Sequence, residues 1–124
     1  MEKDEKKGVL KGKSFAFALR IVKMTKYLQQ EKKEHVLSKQ VLRSGTAIGA
    51  LVHEAEFAQS PADFSSKLSI ALKEASETAY WLALLKEAEY IDNNSFTSME
   101  SDCKQLLALL VSSINTVKNR KSEK

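Results

Sequence analysis

Two histidines, His35 and His53, one cysteine, Cys103, and the carboxylates of Glu54, Glu74 and Glu77 are the side chains whose chemistry has to be weighed first. A di-iron site inside a helical bundle uses Glu-x-x-His pairs aimed inward, and neither histidine has a glutamate three residues before it. A zinc-binding helix uses His-Glu-x-x-His, whereas His53-Glu54-Ala55-Glu56 runs out of histidine. No metal ligand and no cofactor is therefore expected. Paired carboxylates can do acid/base work when a second polar group converges on them, and none is identifiable beside Glu54, Glu74 or Glu77. Arg43 is expected to hold one of these acids or to serve a neighbouring subunit. Cys103 falls in an apolar helical stripe and reads as a buried small hydrophobe. No catalytic residue is assigned, and the chain is expected not to be an enzyme.

Charge points elsewhere. The formal net charge of +4 is unevenly spread. Residues 1–39 carry 11 Lys/Arg against 5 Asp/Glu, residues 40–117 carry 5 against 10, and residues 118–124 carry 4 against 1. Basic ends around an acidic middle suit a polyanion partner, although solvated helix faces and tails would give the same pattern. Lys11, Lys13, Arg20, Lys118, Arg120 and Lys121 are the candidate contacts to nucleic acid.

The elements that must position these residues are helices. Ser60 is a good N-cap, Pro61 suits the first helical position, and Asp63 stands where a capping box places its acid. From there to Ala88, Phe64, Leu68, Ala71, Leu72, Ala75, Ala79, Leu82 and Leu85 recur at three- and four-residue steps, so about 28 residues form one helix roughly 42 Å long at 1.5 Å per residue. A helix of that length needs partners of similar length. Ser14 can cap a first helix with Phe15, Ala18, Leu19, Val22, Thr25 and Leu28 inward; a second runs from about His35 to Ala58 with Val41, Ile48, Leu51, Val52 and Ala55 inward. The fourth starts after Asp92, with Phe96, Cys103, Leu107, Leu110 and Ile114 inward. Two glycines, Gly45 and Gly49, interrupt the second helix at about 0.8–1 kcal/mol each, a cost that close approach of another backbone would compensate.

The expected fold is thus all-α: an antiparallel, up-down-up-down four-helix bundle over residues 14–118, with a mobile basic tail at 1–13 and a basic C-terminal tail at 119–124. A chain of 124 residues is one domain's worth of material. One cysteine cannot form an internal disulfide, and neither a secretory leader nor a membrane span is recognisable, so a soluble cytoplasmic protein with no membrane association is expected.

The stretches Val41-Leu-Arg-Ser-Gly-Thr-Ala-Ile-Gly-Ala-Leu-Val-His-Glu-Ala55 and Ser60-Pro-Ala-Asp-Phe-Ser-Ser-Lys-Leu-Ser-Ile-Ala-Leu-Lys-Glu-Ala-Ser-Glu-Thr-Ala-Tyr-Trp-Leu82 resemble two helix signatures of one family. It is the bacterial four-helix-bundle family named after the 23S rRNA intervening sequence, also called S23 ribosomal proteins. Arg43, Gly45, Gly49 and Glu54 fit its helix-two motif; Ala47 and Leu51 depart from it, standing where many relatives have a serine and an asparagine. The resemblance implies a ring-like homopentamer. A similar fold serves as the accessory protein of diversity-generating retroelements, which implies binding to RNA or DNA and to an RNA-handling protein.

The second half of the third helix bears on assembly. Tyr80, Trp81, Leu84 and Ala88 point away from the Phe64–Leu82 stripe, leaving this half apolar nearly all round, and such a helix is normally buried. These four residues are the expected oligomer interface. The functional expectation is a non-enzymatic homo-oligomer that binds RNA or DNA with little sequence preference; the alternative is a protein-interaction scaffold with no nucleic-acid role.

Overall fold

The computed structural model describes residues 2–122, with side chains from Gly8 to Asn119. Four helices account for nearly all of it: α1 (Glu2–Gln30), α2 (Leu37–Ala55), α3 (Pro61–Glu87) and α4 (Asn93–Ser122). There is no strand among the described residues. Each helix packs against its neighbours in sequence, and α1 also packs against α4, so the four close around one core. That core holds Leu10, Phe17, Ile21 and Leu28 of α1, Val41, Ile48 and Val52 of α2, Leu68, Ala71, Ala75, Leu82 and Leu85 of α3, and Met99, Cys103, Leu106, Leu110 and Ile114 of α4.

Helix ends follow local chemistry. Ser60 accepts a hydrogen bond from the Asp63 N–H at 3.0 Å, and Asp63 in turn accepts from the Gln59 N–H at 3.2 Å, which fixes the start of α3. Asp92 accepts from the Ser95 N–H at 2.7 Å and starts α4 in the same way. The first turn of α2 is built differently. Glu34 bends its carboxylate under the helix to accept from the N–H groups of Val36, Leu37 and Ser38 at 3.1, 2.9 and 2.7 Å, and Ser38 Oγ donates back to the Glu34 carbonyl at 2.9 Å. One buried carboxylate thus serves three donors that the helix leaves unpaired. Lys33 and Glu89 adopt positive φ angles of 54° and 68° after α1 and α3. There the Tyr90 N–H reaches back to the Leu85 carbonyl, the six-residue closure of a helix C-terminus, and the Glu34 N–H reaches one residue further, closing seven residues onto the Leu28 carbonyl.

The two glycines of α2 are explained by α1. A Cβ on Gly45 would stand 2.7 Å from Ile21 Cγ1, and one on Gly49 would stand 3.2 Å from the Ser14 carbonyl oxygen. At Gly45 the Ile21 side chain fills the space a Cβ would need, and at Gly49 the α1 backbone itself crowds one, so the expected close approach of a second backbone is present at Gly49.

Four expectations are corrected. Helix α1 does not begin at Ser14, and residues up to 13 are not a tail throughout: the helix begins at Glu2, Leu10 is buried, and Ser14 lies inside it with its Oγ donating to the Lys11 carbonyl. Leu10 extends the core stripe one turn past Ser14, which the Lys-rich surroundings obscure. Phe15, Leu19 and Val22 are not core residues. They are 73%, 47% and 44% exposed, while the inward stripe of α1 is Leu10, Phe17, Ile21 and Leu28; of the expected stripe, Thr25 and Leu28 are buried. At the other end, α4 runs on to Ser122, so the basic segment expected as a tail from residue 119 continues the helix as far as Ser122. Phe64, Leu72, Phe96 and Leu107, expected at the centre, are half-buried at its margin.

Candidate functional site

Of the six candidate nucleic-acid contacts, the three on α1 already have partners. Lys11 Nζ lies 3.1 and 3.3 Å from the two Glu56 oxygens, Lys13 Nζ donates to Gln105 Oε1 at 3.1 Å, and Arg20 bonds the Asp102 carboxylate and, at 2.9 Å, Ser98 Oγ. Lys118 is exposed on α4; the side chains of Arg120 and Lys121 lie outside the described residues. Following α1 from Lys13 to Arg20, the partner on α4 moves back from Gln105 to Ser98, and following it from Lys11 to Gln29, the partner on α2 moves back from Glu56 to Ser38. Glu56, Asp102 and Gln105 went unnoticed in the sequence because they stand 45 to 92 positions from the residues they hold. Ion pairs this exposed are worth about 0–1 kcal/mol, weak enough for a phosphate to displace.

The α2 motif is structural in three of its four members. Arg43 holds both Glu74, at 3.0 and 3.2 Å, and Glu77, joining α2 to α3, while Gly45 and Gly49 admit α1. Glu54 is exposed and outside this cluster. Beneath Arg43, Thr78 Oγ1 lies 2.8 Å from Ser44 Oγ, and both side chains are fully buried. Thr78 Oγ1 also lies 2.8 Å from the Glu74 carbonyl of its own helix, so it is the buried Ser44 hydroxyl that depends on residues 44 and 78 meeting, and that contact favours one register of α2 on α3.

Tyr80, Trp81, Leu84 and Ala88 do not share one environment. Tyr80 is 60% exposed and Ala88 is exposed, whereas Leu84 and Trp81 are half-buried. Trp81 packs on the core, meets the Tyr80 ring edge-on at 5.1 Å, and has its indole N–H shielded from solvent without an acceptor.

Among the titratable candidates, Cys103 is buried with Sγ 3.3 Å from the Ala75 carbonyl, and burial, reinforced by Glu100 and Asp102, pushes its thiol up to about 11. A thiol so placed is a poor nucleophile. His35 and His53 are exposed, the latter edge-on to Phe57 at 5.6 Å. Among the described residues, no group of three or more His, Cys, Asp or Glu converges as metal ligands would. No described helix is long and apolar enough to cross a membrane.

A sequence model described as "23S rRNA-intervening sequence protein" matches residues 6–112. Among solved structures, one described as a protein with unknown function from the S23 ribosomal protein family of Bacteroides thetaiotaomicron is similar at 55% identity. The likeness covers 89% of this chain and 98% of that one, with a TM-score of 0.88. No curated protein matches.

Proposed function

We propose that this chain, which belongs to the 23S rRNA-intervening sequence protein family, acts without enzymatic chemistry as a cytoplasmic homo-oligomer that binds RNA or DNA backbones. Each subunit is read as an antiparallel, up-down-up-down bundle. The observation that carries the reading is the opposed run of contacts between α1 and α4, from Lys13–Gln105 to Arg20–Ser98. Opposed helices bring the lysine-rich start of α1 to the same end as the Lys118–Lys121 segment of α4. A ring-like pentamer, as the family resemblance implies, would repeat that basic end around one face, and a second RNA-handling protein is a fitting partner for it.

Phosphate contacts release counterions, so affinity should fall by about 10³–10⁵ between 50 and 200 mM salt if roughly 6–10 phosphates are engaged. Sequence preference should be slight, because phosphate contacts position a nucleic acid without reading its bases. Filter binding at two salt concentrations tests this, comparing the wild type with a variant carrying Gln at Lys3, Lys6, Lys7, Lys118, Arg120 and Lys121. Substitution is preferable to truncation because Leu10 belongs to the core. Equal retention of the two proteins, or none by the wild type at low salt, rejects the reading. The second reading, a scaffold for protein partners alone, is favoured by the pairing of Lys11 with Glu56 and Arg20 with Asp102, which leaves less free charge on α1.

A further inference from the structure

Charge in this bundle is sorted by helix. From Lys6 to Gln30, α1 has seven Lys/Arg and no Asp or Glu. Helix α4 carries four Lys/Arg against two acids, Glu100 and Asp102, whereas α2 and α3 together are balanced, with five of each sign. Because α1 meets α2 and α4 but not α3, the α1/α4 flank and the α2/α3 flank lie on opposite sides of the molecule, one basic and one neutral. A flank of one sign draws in polyanions.

The side chains along the α1/α4 seam have the chemistry to hold one. Lys13 and Arg20 stand seven residues apart on α1, close to two full turns, and Lys23 follows three residues later, so the three share one edge of the helix. Lys13 reaches Gln105 and Arg20 reaches Ser98, which sets that edge beside α4. Ser98, Ser101 and Gln105 face it at helical spacing, and all three are exposed. Cations mixed with hydroxyl and amide groups are the set that proteins use on the phosphates of nucleic acids. Lys13 and Lys23 are about 15 Å apart along the axis at 1.5 Å per residue, and one strand of a duplex carries a phosphate every ~3.4 Å, so three cations span about four or five phosphates.

Arg20 already holds an anion in this strip. One arm of its guanidinium bonds the Asp102 carboxylate, and the other donates to Ser98 Oγ at 2.9 Å. A fork aimed in this way at a charged oxygen suits a phosphate as well as a carboxylate. We infer that the nucleic-acid backbone lies along the α1/α4 seam, held by Lys13, Arg20 and Lys23 with Ser98, Ser101 and Gln105 as hydrogen-bonding partners, and that a phosphate takes the place of Asp102 on Arg20. The inference rests on the nucleic-acid reading above, which uses the basic ends of α1 and α4, and adds the flank between them. Asp102 is then a built-in competitor that keeps Arg20 in place in the free protein and lowers affinity for the polyanion.

Salt dependence tests the assignment, with whichever of a short RNA or DNA duplex the wild type retains better at low salt as the probe. Each phosphate contact adds about 0.9 to the slope of log affinity against log salt, so in filter binding the wild type should lose about 40-fold more affinity between 50 and 200 mM salt than a variant with Lys13→Gln, Arg20→Gln and Lys23→Gln. Lys39→Gln, Lys67→Gln and Lys73→Gln remove the same charge from α2 and α3 and should leave the wild-type slope. Asp102→Asn should raise affinity several-fold, and should do nothing once Arg20 is Gln. Circular dichroism checks folding; if the triple seam variant unfolds, Lys13→Gln with Lys23→Gln, which breaks no ion pair with an acid, should still differ from the wild type by about 12-fold over the same salt range. A wild type that retains neither duplex at low salt rejects the nucleic-acid reading and this seam together. A wild type that binds, with seam variants no shallower in slope than the α2/α3 variant, rejects the seam and leaves the reading standing. A gain from Asp102→Asn that persists without Arg20 rejects the exchange of carboxylate for phosphate.

Discussion

Replacing Gly45 with alanine should destabilise the protein, even though alanine is the better helix former. In an open helix the change would gain about 0.8–1 kcal/mol. Here the new methyl would lie 2.7, 2.9 and 3.0 Å from three side-chain carbons of Ile21, which is itself fully buried and has no free space to turn into. Overpacking of this kind costs about 1–3 kcal/mol. Taking about 2 as the cost, the net loss is about 1 kcal/mol, near 4 °C in Tm for a chain of this size. Urea denaturation followed by circular dichroism measures it. The argument makes a sharper claim in a second background. Ile21→Ala removes all three crowded atoms at a cost of about 2–5 kcal/mol, and in that variant Gly45→Ala should become stabilising by about 1 kcal/mol. A Gly45→Ala protein that is more stable than wild type, or an effect of the same sign and size in both backgrounds, would refute the account of α1–α2 packing.

Glu34→Gln should cost about 1–2 kcal/mol at pH 7, since it weakens the only side-chain acceptor for three N–H groups at the start of α2. Burial pushes the Glu34 carboxyl up, but the bonds from Leu37, Ser38 and Val36 outweigh it and hold the group below its ordinary 4.5. Its contribution is therefore complete above that value and lost as pH falls through the lower folded one, so the variant should show a flatter acid limb in urea titrations between about pH 5 and 3. Glu89→Gly should stabilise by about 1 kcal/mol, because residue 89 sits at a φ of 68° that glycine adopts without strain; an unchanged urea midpoint would count against it. Cys103 should react with a thiol reagent at pH 8 only as fast as the protein opens, and a fast reaction in the native state would contradict its burial.

Helices α3 and α4 were legible because their starts are marked by local chemistry. Ser60, Pro61 and Asp63 announce α3 in four residues, and Asp92 announces α4. The glycines at 45 and 49 were legible as a site of close approach, although not which helix approaches. The start of α2 was not, since its cap is a glutamate two residues before the helix's N-cap position, where a serine, threonine or aspartate would be the usual signal. Neither were the partners of Lys11, Lys13 and Arg20, because ion pairs between helices depend on register, and register is set by buried contacts such as Ser44–Thr78 that leave no local mark. The candidate basic residues were thus identifiable one by one, while the acids that restrain two of them were not.

The misplaced stripe of α1 has a more specific cause. Leu10, Phe17, Ile21 and Leu28 repeat at helical spacing, and so do Phe15, Leu19 and Val22; on a helical wheel of 3.6 residues per turn the two sets are about 150° apart. Periodicity identifies an apolar face without saying what covers it. In a monomer the second set would be left against water at a cost of roughly 25 cal/mol for each Å² that a partner could have covered, and a sequence with no use for that face has every reason to be polar there, as the outer side of a solvated helix normally is. The same feature therefore explains why the inward face of α1 could not be chosen from sequence. An oligomer in which Phe15 and Phe57 are covered would make both stripes interior, one to the subunit and one to the assembly.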